Sequence, residues 1–368
     1  MTEKQQDYRC MQRALQLARR GIGRVEPNPM VGCVIVQGQT VVGEGFHTAF
    51  GRDHAEIEAL RDAGADAEGA TLYVNLEPCC HHGKTGPCTE AILAAKIARV
   101  VVANRDPFPQ VAGTGLALLR RHGIEVTTEV VAEEAEILNA PYFHYLQNKR
   151  PWVIAKWAMS LDGKMATSGG DSRWISNPHS RSIVHQMRGR VDAILVGRRT
   201  AELDDPQLTA RPPGPRTAVR IVLDSMAQLP TDSKLVCSAR EVPLMVVTGE
   251  EAPPEARSRL ERAGCEVICL EPQQELSSLH QLLKRLGERQ MTNLLVEGGG
   301  EVLGSFFDAG LINEVHAFIA PVLIGGKGVA PLTGRGAERM ESVTQLEHLR
   351  TEQIDGDWYI SGRFPRKK

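Results

Sequence analysis

Strand-like and helix-like segments alternate along this chain, and that order leaves few architectures open. Residues 31–36 and 40–45 are β-rich runs joined through Gln37-Gly38-Gln39, and 71–76, 99–103 and 124–130 are further strands. Between them, 7–20, 54–63, 88–95 and 115–122 follow the helical period, the first stopped by Gly21 and the second by Gly64. After residue 150 the alternation resumes, with strands near 152–159, 191–197, 219–223, 244–248, 266–270, 293–297 and 313–320. Helices are expected there near 178–188, 255–263, 275–289 and 301–309, and Arg211-Pro212-Pro213-Gly214-Pro215 reads as an exposed loop. Such alternation indicates α/β layers. A helix over 132–147 runs into Asn148-Lys149-Arg150-Pro151, which divides the 368 residues into 1–148 and 149–368, two domains of ordinary size. All four Trp (152, 157, 174 and 358) lie beyond that boundary, and the second part does not repeat the first.

Charge and composition exclude several classes. The chain carries 43 Lys+Arg against 45 Asp+Glu, a net charge of −2, and its first 150 residues carry 16 against 18. A protein that grips nucleic acid needs a basic surplus, and 5% aromatic residues leave little to stack on bases. No apolar run approaches the ~18 residues of a membrane span. The N-terminus, Met1-Thr2-Glu3-Lys4-Gln5-Gln6-Asp7, lacks the apolar core of a signal peptide, so a cytoplasmic location is expected. Eight Cys in such a chain do not make a disulfide framework. Cys10, Cys33, Cys237, Cys265 and Cys269 read as small buried apolar residues.

Cys79, Cys80 and Cys88 are different, crowded around Pro78 and Pro87. His54-Ala55-Glu56 opens a helix, and one His, two Cys and a non-ligating Glu are the inventory of a zinc-dependent nucleobase deaminase. Two thiolates and an imidazole hold a tetrahedral Zn²⁺ with a fourth position for water, whose pKa falls to ~7. Glu56 can then carry a proton to the ring nitrogen and the departing amine. The usual Cys-x-x-Cys spacing is absent: the expected pair, Cys79 and Cys88, has eight residues between. Cys80, His81 and His82 compete inside that insertion, although adjacent residues rarely aim both side chains at one ion. Gly83-Lys84-Thr85 imitates the end of a phosphate-binding loop, but position 78 would then be Gly and is Pro. In the second part, residues 293–297, Gly298-Gly299-Gly300 and Glu301 onward read as strand, turn and helix. That suits either a phosphate or a plain tight turn, and Leu303 breaks the Gly-x-Gly-x-x-Gly pattern. Gly325-Gly326-Lys327-Gly328 reads as a solvent loop.

Several of these stretches are familiar in order. Pro27-Asn28-Pro29-Met30-Val31-Gly32-Cys33, His54-Ala55-Glu56, Leu76-Glu77-Pro78-Cys79 through Pro87-Cys88, and Asp106-Pro107-Phe108 through Gly113 resemble one half of the bacterial bifunctional riboflavin-biosynthesis deaminase/reductase family. Lys156-Trp157-Ala158-Met159-Ser160-Leu161-Asp162-Gly163, Trp174-Ile175-Ser176, Asp204-Asp205-Pro206 through Arg211 and Val296-Glu297-Gly298-Gly299-Gly300-Glu301 resemble the other. The wide Cys spacing belongs to that family. The resemblance implies a cytidine-deaminase-like α/β/α sandwich followed by a dihydrofolate-reductase-like α/β domain. It implies zinc-dependent deamination of 2,5-diamino-6-(5-phosphoribosylamino)pyrimidin-4(3H)-one, then NADPH-dependent reduction of the ribosyl group to ribityl.

The same resemblance assigns residues. One Zn²⁺ per chain would be held by His54, Cys79 and Cys88, with Glu56 catalytic and Asn28 on the pyrimidine edge. Ala158, Trp174, Thr200, Asp204, Ser225 and the run Gly299, Gly300, Glu301, Val302, Leu303, Gly304, Ser305 match positions that contact NADPH. Ser172, Arg188, Leu208, Arg211 and Glu297 match those facing the substrate; Arg188 and Arg211 suit its phosphate, and Glu297 or Lys156 its ribose hydroxyls. No acid or base is assigned to the hydride transfer. A homo-oligomer, dimer or tetramer, is expected, with no nucleic-acid or membrane partner. Two other readings compete: a nucleic-acid editing deaminase with an RNA-binding C-terminal module, and a deaminase whose second domain only binds or regulates. An NADPH-oxidation assay separates the last of these from a bifunctional enzyme.

Overall fold

The computed structural model describes residues 2–81, 86–108, 111–271 and 277–365. The chain divides into two compact units, Met1–Lys149 and Arg150–Lys368. In the first, strands β1 (Gly32–Gln37), β2 (Thr40–Phe46), β3 (Thr71–Leu76), β4 (Arg99–Asn104) and β5 (Glu125–Thr127) form one sheet in the order β2-β1-β3-β4-β5. β1 is antiparallel to both neighbours, whereas β3, β4 and β5 are parallel. The helices are α1 (Glu3–Ala18), α2 (Ala55–Ala63), α3 (Cys88–Ala94), α4 (Thr114–Arg121), α5 (Ala132–Leu138) and α6 (Ala140–Asn148).

Alternate residues of β1 serve opposite layers, as the two-residue period of a strand requires. Cys33 and Ile35 pack with Ala55, Ala59, Ile92, Leu116 and Leu119 of α2, α3 and α4. Val34 and Val36 pack with Met11, Ala14 and Leu15 of α1 and Ala135 of α5. The result is an α/β/α sandwich. Two glycines of β2 bring α2 down onto the sheet: a Cβ at Gly43 would lie 2.3 Å from the Ala59 carbonyl oxygen, and one at Gly45 would lie 2.4 Å from that of Ala55. That close approach fixes the height of the N-terminus of α2, where His54 stands.

The helix expected over 132–147 is two helices broken at Asn139, with Pro141 at the start of the second, as a ring that clashes with the preceding turn dictates. Asn139 also does local work. Its Oδ1 accepts the Met30 N–H and its Nδ2 donates to the Met30 carbonyl, so α6 holds the loop that carries Asn28.

The second unit is built on β6 (Trp152–Ser160), β7 (Ala193–Gly197), β8 (Val219–Leu223), β9 (Leu244–Gly249), β10 (Glu266–Leu270), β11 (Asn293–Val296), β12 (Glu314–Ala320), β13 (Glu347–Ile354) and β14 (Asp357–Arg363). They form one sheet, β10-β9-β8-β7-β11-β6-β12-β14-β13, parallel as far as β12 and antiparallel beyond. Its helices are α7 (Pro178–Arg188), α8 (Arg198–Asp204), α9 (Lys234–Cys237), α10 (Pro254–Arg262), α11 (Ser278–Glu288) and α12 (Gly300–Asp308). Ala193 and Leu195 face the layer of α11 and α12, while Ile194 and Val196 face that of α8, α9 and α10.

Four elements escape a reading by apolar period. α8 and α9 are short, and α8 begins on the polar run Arg198-Arg199-Thr200. β13 is exposed over residues 347–353 and so carries little apolar pattern. The hairpin to β14 turns on Asp355-Gly356, both at positive φ, the two-residue signal that a tight hairpin needs. Cys33 and Cys265 are buried, but Cys237 is exposed at the end of its short helix, contrary to its expected role as packing. Residues 211–215 and 325–327 are exposed. No helix among the described residues is long and apolar enough to cross a membrane.

Candidate functional site

In the first unit the chemistry collects where α2 and α3 begin, beside the end of β3. His54 is the residue preceding α2, Glu56 lies in its first turn, Cys79 follows β3, and Cys88 is the first residue of α3. His54 Nδ1 lies 3.2 Å from Cys88 Sγ and 3.5 Å from Cys79 Sγ, and the Cys88 N–H donates to Cys79 Sγ at 3.3 Å. One donor atom from each of the three residues falls within 4.8 Å of the others. Two sulfurs and an imidazole nitrogen suit a borderline-soft ion, and three protein donors leave a fourth position open, so this set fits zinc. The side-chain bond from Cys88 draws the Cys79 thiol well down, and the bond to Cys79 raises the His54 imidazole. Glu56 is buried at 3% exposure beside this cluster, and burial pushes its carboxyl up to about 7.

The competing ligands are placed elsewhere or lie outside the described residues. Cys80 Sγ is 3.0 Å from Thr114 Oγ1 at the start of α4, and the His81 ring lies against Phe108. His82 and Gly83-Lys84-Thr85 are outside the described residues.

Asn28 stands near the same end of the sheet, and its orientation comes from a residue that pattern reading passed over. His47 Nδ1 donates to the Asp53 carbonyl at 3.0 Å, which leaves Nε2 to accept from Asn28 Nδ2 at 3.2 Å. Burial lowers the His47 pKa, keeping it the neutral acceptor that this pair needs. The only signal in the sequence was a histidine directly after β2. Glu77 was also missed. Its carboxylate accepts N–H bonds from Asp106, Gly113 and Leu116, tying the residues before Cys79 to the loop after β4.

In the second unit a cavity of about 1110 Å³ opens at the carboxyl ends of β6, β7, β8 and β11, where parallel sheets bind ligands. Lys156, Ser172, Arg188, Leu208, Arg211 and Glu297 all line it, as do Ala158, Trp174, Thr200, Asp204, Ser225, Gly299, Gly300, Glu301 and Val302. The remainder of the expected cofactor run leaves the cavity as α12 turns away. Leu303 is fully buried in the core, Gly304 packs against the Thr333 carbonyl, and Ser305 bonds the Glu301 carbonyl.

Three of the lining residues form a compact ion cluster. Arg188 grips Glu297 with two bonds, Nε to Oε1 at 2.6 Å and Nη2 to Oε2 at 2.9 Å, and Lys156 Nζ lies 3.0 Å from Oε2. Burial alone would raise the Glu297 carboxyl, but Arg188 and Lys156 outweigh it and hold the group well below the carboxylate range. Around the glycine turn, the Gly299 N–H donates to Thr200 Oγ1 at 3.0 Å, so β7 and β11 share one wall. Ser172 Oγ donates to Asp204 Oδ1 at 3.3 Å, and the Arg181 guanidinium stacks 4.5 Å over the exposed Trp174 ring. This wall presents apolar surface, backbone N–H groups and positive charge, the makings of a dinucleotide and phosphate site.

Comparison with known proteins agrees with both halves. The family described as "RibD C-terminal domain" matches residues 151–360, and the "Cytidine and deoxycytidylate deaminase zinc-binding region" matches residues 4–104. The riboflavin biosynthesis protein RibD of Aquifex aeolicus is 41% identical over 356 residues, 96% of this chain and 97% of that one. Its counterpart from Actinobacillus pleuropneumoniae is 40% identical over 352 residues, 95% and 93% of the two chains. Among solved structures, Acinetobacter baumannii RibD superposes with a TM-score of 0.87 at 35% identity, covering 99% of this chain and 100% of that one. A Thermotoga maritima protein described as a diaminohydroxyphosphoribosylaminopyrimidine deaminase/5-amino-6-(5-phosphoribosylamino)uracil reductase does so with 0.85 at 36%, again over 99% and 100%. With a zinc-type donor cluster in one unit and a cationic cavity in the other, the chain belongs to the RibD family of bifunctional deaminase/reductases of riboflavin biosynthesis.

Proposed function

We propose that residues 1–148 hydrolyse 2,5-diamino-6-(5-phosphoribosylamino)pyrimidin-4(3H)-one to 5-amino-6-(5-phosphoribosylamino)uracil, and that residues 149–368 reduce that product to 5-amino-6-(5-phosphoribitylamino)uracil. The observation that carries the reading is the convergence of His54, Cys79 and Cys88 beside the buried carboxyl of Glu56. Those three residues would hold one zinc per chain, which when bound supplies an acidified water. Glu56 would take a proton from the attacking water and pass it to the exocyclic 2-amino group, so that a C–O bond forms at C2, the bond from C2 to that nitrogen breaks, ammonia departs and the water oxygen becomes the carbonyl. Asn28, oriented by His47, offers its amide to the pyrimidine edge.

In the second unit NADPH supplies the hydride when bound. Ala158, Trp174, Thr200, Asp204, Ser225 and residues 299–302 are its proposed contacts, while Leu303, Gly304 and Ser305 support the start of the helix from behind. Lys156, Ser172, Arg188, Leu208, Arg211 and Glu297 take the phosphoribosyl substrate: the cations meet phosphate and the polar groups meet ribose hydroxyls. A homo-oligomer, dimer or tetramer, is part of the proposal. It is supported by the edge strand β13, exposed over residues 347–353, and by the exposed Leu349 and Trp358 beside it. A cytoplasmic location is supported by the cysteines, which form no disulfide among the described residues.

The test is to follow ammonia and NADPH separately in the full chain. Glu56→Gln should keep its fold and metal but release ammonia ~10²–10⁴-fold more slowly. Given the already deaminated substrate, it should still consume NADPH at the wild-type rate. Near-normal ammonia release, or loss of both activities in a folded, metal-loaded variant, would overturn the two-site assignment.

A further inference from the structure

One end of the cavity in the second unit holds more positive charge than its ion pairs neutralise. Lys156 and Arg188 share the single carboxylate of Glu297. Arg211 bonds neutral oxygens, Gln207 Oε1 at 2.6 Å and Thr209 Oγ1 at 3.4 Å, and forms no ion pair among the described residues. His185 lines the same cavity, one turn before Arg188 on α7. Its Nδ1 is 3.2 Å from the carbonyl oxygen of Thr209, on the loop that carries Leu208 and Arg211. A carbonyl can only accept, so Nδ1 carries the hydrogen, and Nε2 is the nitrogen that titrates. Neutral, Nε2 repels an anion's lone pairs; protonated, it donates to them.

We propose that His185 is a proton-linked anion contact of the reductase site, taking up a proton from solvent onto Nε2 when the phosphate of the phosphoribosyl substrate enters. This rests on the reading of the cavity as the reductase site. The groups facing the ring are Arg188 from its own helix, Arg211 from the 207–211 loop and Glu297 from the end of β11. Among the protein groups alone, burial and then the two guanidinium groups push His185 below its ordinary value, against the weaker pull of the Thr209 carbonyl and Glu297. A phosphate monoester, carrying about −1.5 to −2 charge near neutral pH, reverses the sign of that local field. The proton then completes a three-donor receptor with Arg188 and Arg211, and the bond to Thr209 keeps the Arg211 loop against α7 throughout.

The experiment is calorimetric titration of the full chain with ribose 5-phosphate, and separately with NADPH, from about pH 6 to 8 in buffers of different ionisation enthalpy. Wild type, His185→Asn and His185→Ala are compared. Asn keeps an N–H near the place of Nδ1 but cannot titrate; Ala loses both. Wild type should bind ribose 5-phosphate with net proton uptake. Its affinity should fall with rising pH, approaching about tenfold per pH unit where the free ring is neutral and the bound ring charged. His185→Asn should bind without that uptake and with the slope lost, and NADPH should bind all three proteins without it. The same uptake in His185→Asn as in wild type would overturn the proposal and leave the reductase reading intact. Uptake that accompanies NADPH instead would place a cofactor phosphate at His185 and overturn it as well. Absence of any ribose 5-phosphate binding by wild type would overturn both.

Discussion

Replacing Glu297 by alanine would strand two cations in a confined space. Its carboxylate is 4% exposed and receives three short charged bonds, at 2.6 and 2.9 Å from Arg188 and 3.0 Å from Lys156. Arg188 and Lys156 are themselves only 14% and 15% exposed, so water cannot take over the lost role. Removing one partner of a buried ion cluster typically costs about 3–5 kcal/mol, because what remains is uncompensated charge. Glu297→Ala should therefore destabilise the second unit by about that amount at neutral pH, roughly two to nearly four powers of ten in its folding equilibrium. The effect has a definite pH window. The folded Glu297 carboxyl lies below its unfolded value of about 4.3, so its contribution is full above that value and is lost as pH falls through the folded one. The gap between variant and wild type should thus be constant from neutral pH down to about 5 and close only in strong acid. Denaturant unfolding of the full chain read by tryptophan fluorescence is the assay, since all four Trp lie beyond residue 150 and report this unit alone. Converting the cluster to Lys156→Met, Arg188→Met and Glu297→Leu together should recover much of the loss. A single Glu297→Ala protein within about 1 kcal/mol of wild type at neutral pH, the range of an exposed pair, would refute the argument.

The metal centre makes a sharper ligand test: Cys88→Ser should lose most of its zinc in elemental analysis, whereas Cys80→Ser, whose thiol faces Thr114, should keep it. The reverse pattern would overturn the ligand set. NADPH should quench the tryptophan fluorescence of the full chain, and Trp174→Phe should remove most of the quench, since that ring is 71% exposed and lines the cavity. An unchanged quench would take Trp174 out of cofactor contact. Arg211→Ala should slow reduction by an order of magnitude or more through loss of a charged phosphate contact, with ammonia release unchanged. Equal loss of the two activities would remove Arg211 from a reductase-only role.

Legibility in the sequence followed how local each feature is. His54-Ala55-Glu56 and Pro78-Cys79 could be read directly because each motif sits at one helix start or strand end, and only the pairing of two such ends was left to the fold. The strands up to β12 were legible for the same reason: runs such as Ala193–Gly197 are buried on both faces and therefore apolar throughout. β13 was not, because an exposed edge strand has no apolar face to display and is held by its pairing to β14 and the Asp355-Gly356 turn. The ion cluster of Lys156, Arg188 and Glu297 lies at the opposite extreme. Its members come from β6, α7 and the end of β11, and they meet because β11, late in the chain, inserts between β6 and β7. Separately each reads as an ordinary charged residue; their partnership depends on strand order, which a period of two or 3.6 does not encode. His47 and His185 fail for a further reason. What matters in each is which ring nitrogen carries the hydrogen, and that is decided by one backbone carbonyl, of Asp53 or of Thr209, brought up by a loop. Motifs therefore locate the groups that break bonds, while the residues that set their orientation and protonation emerge only once the loops between strands are in place.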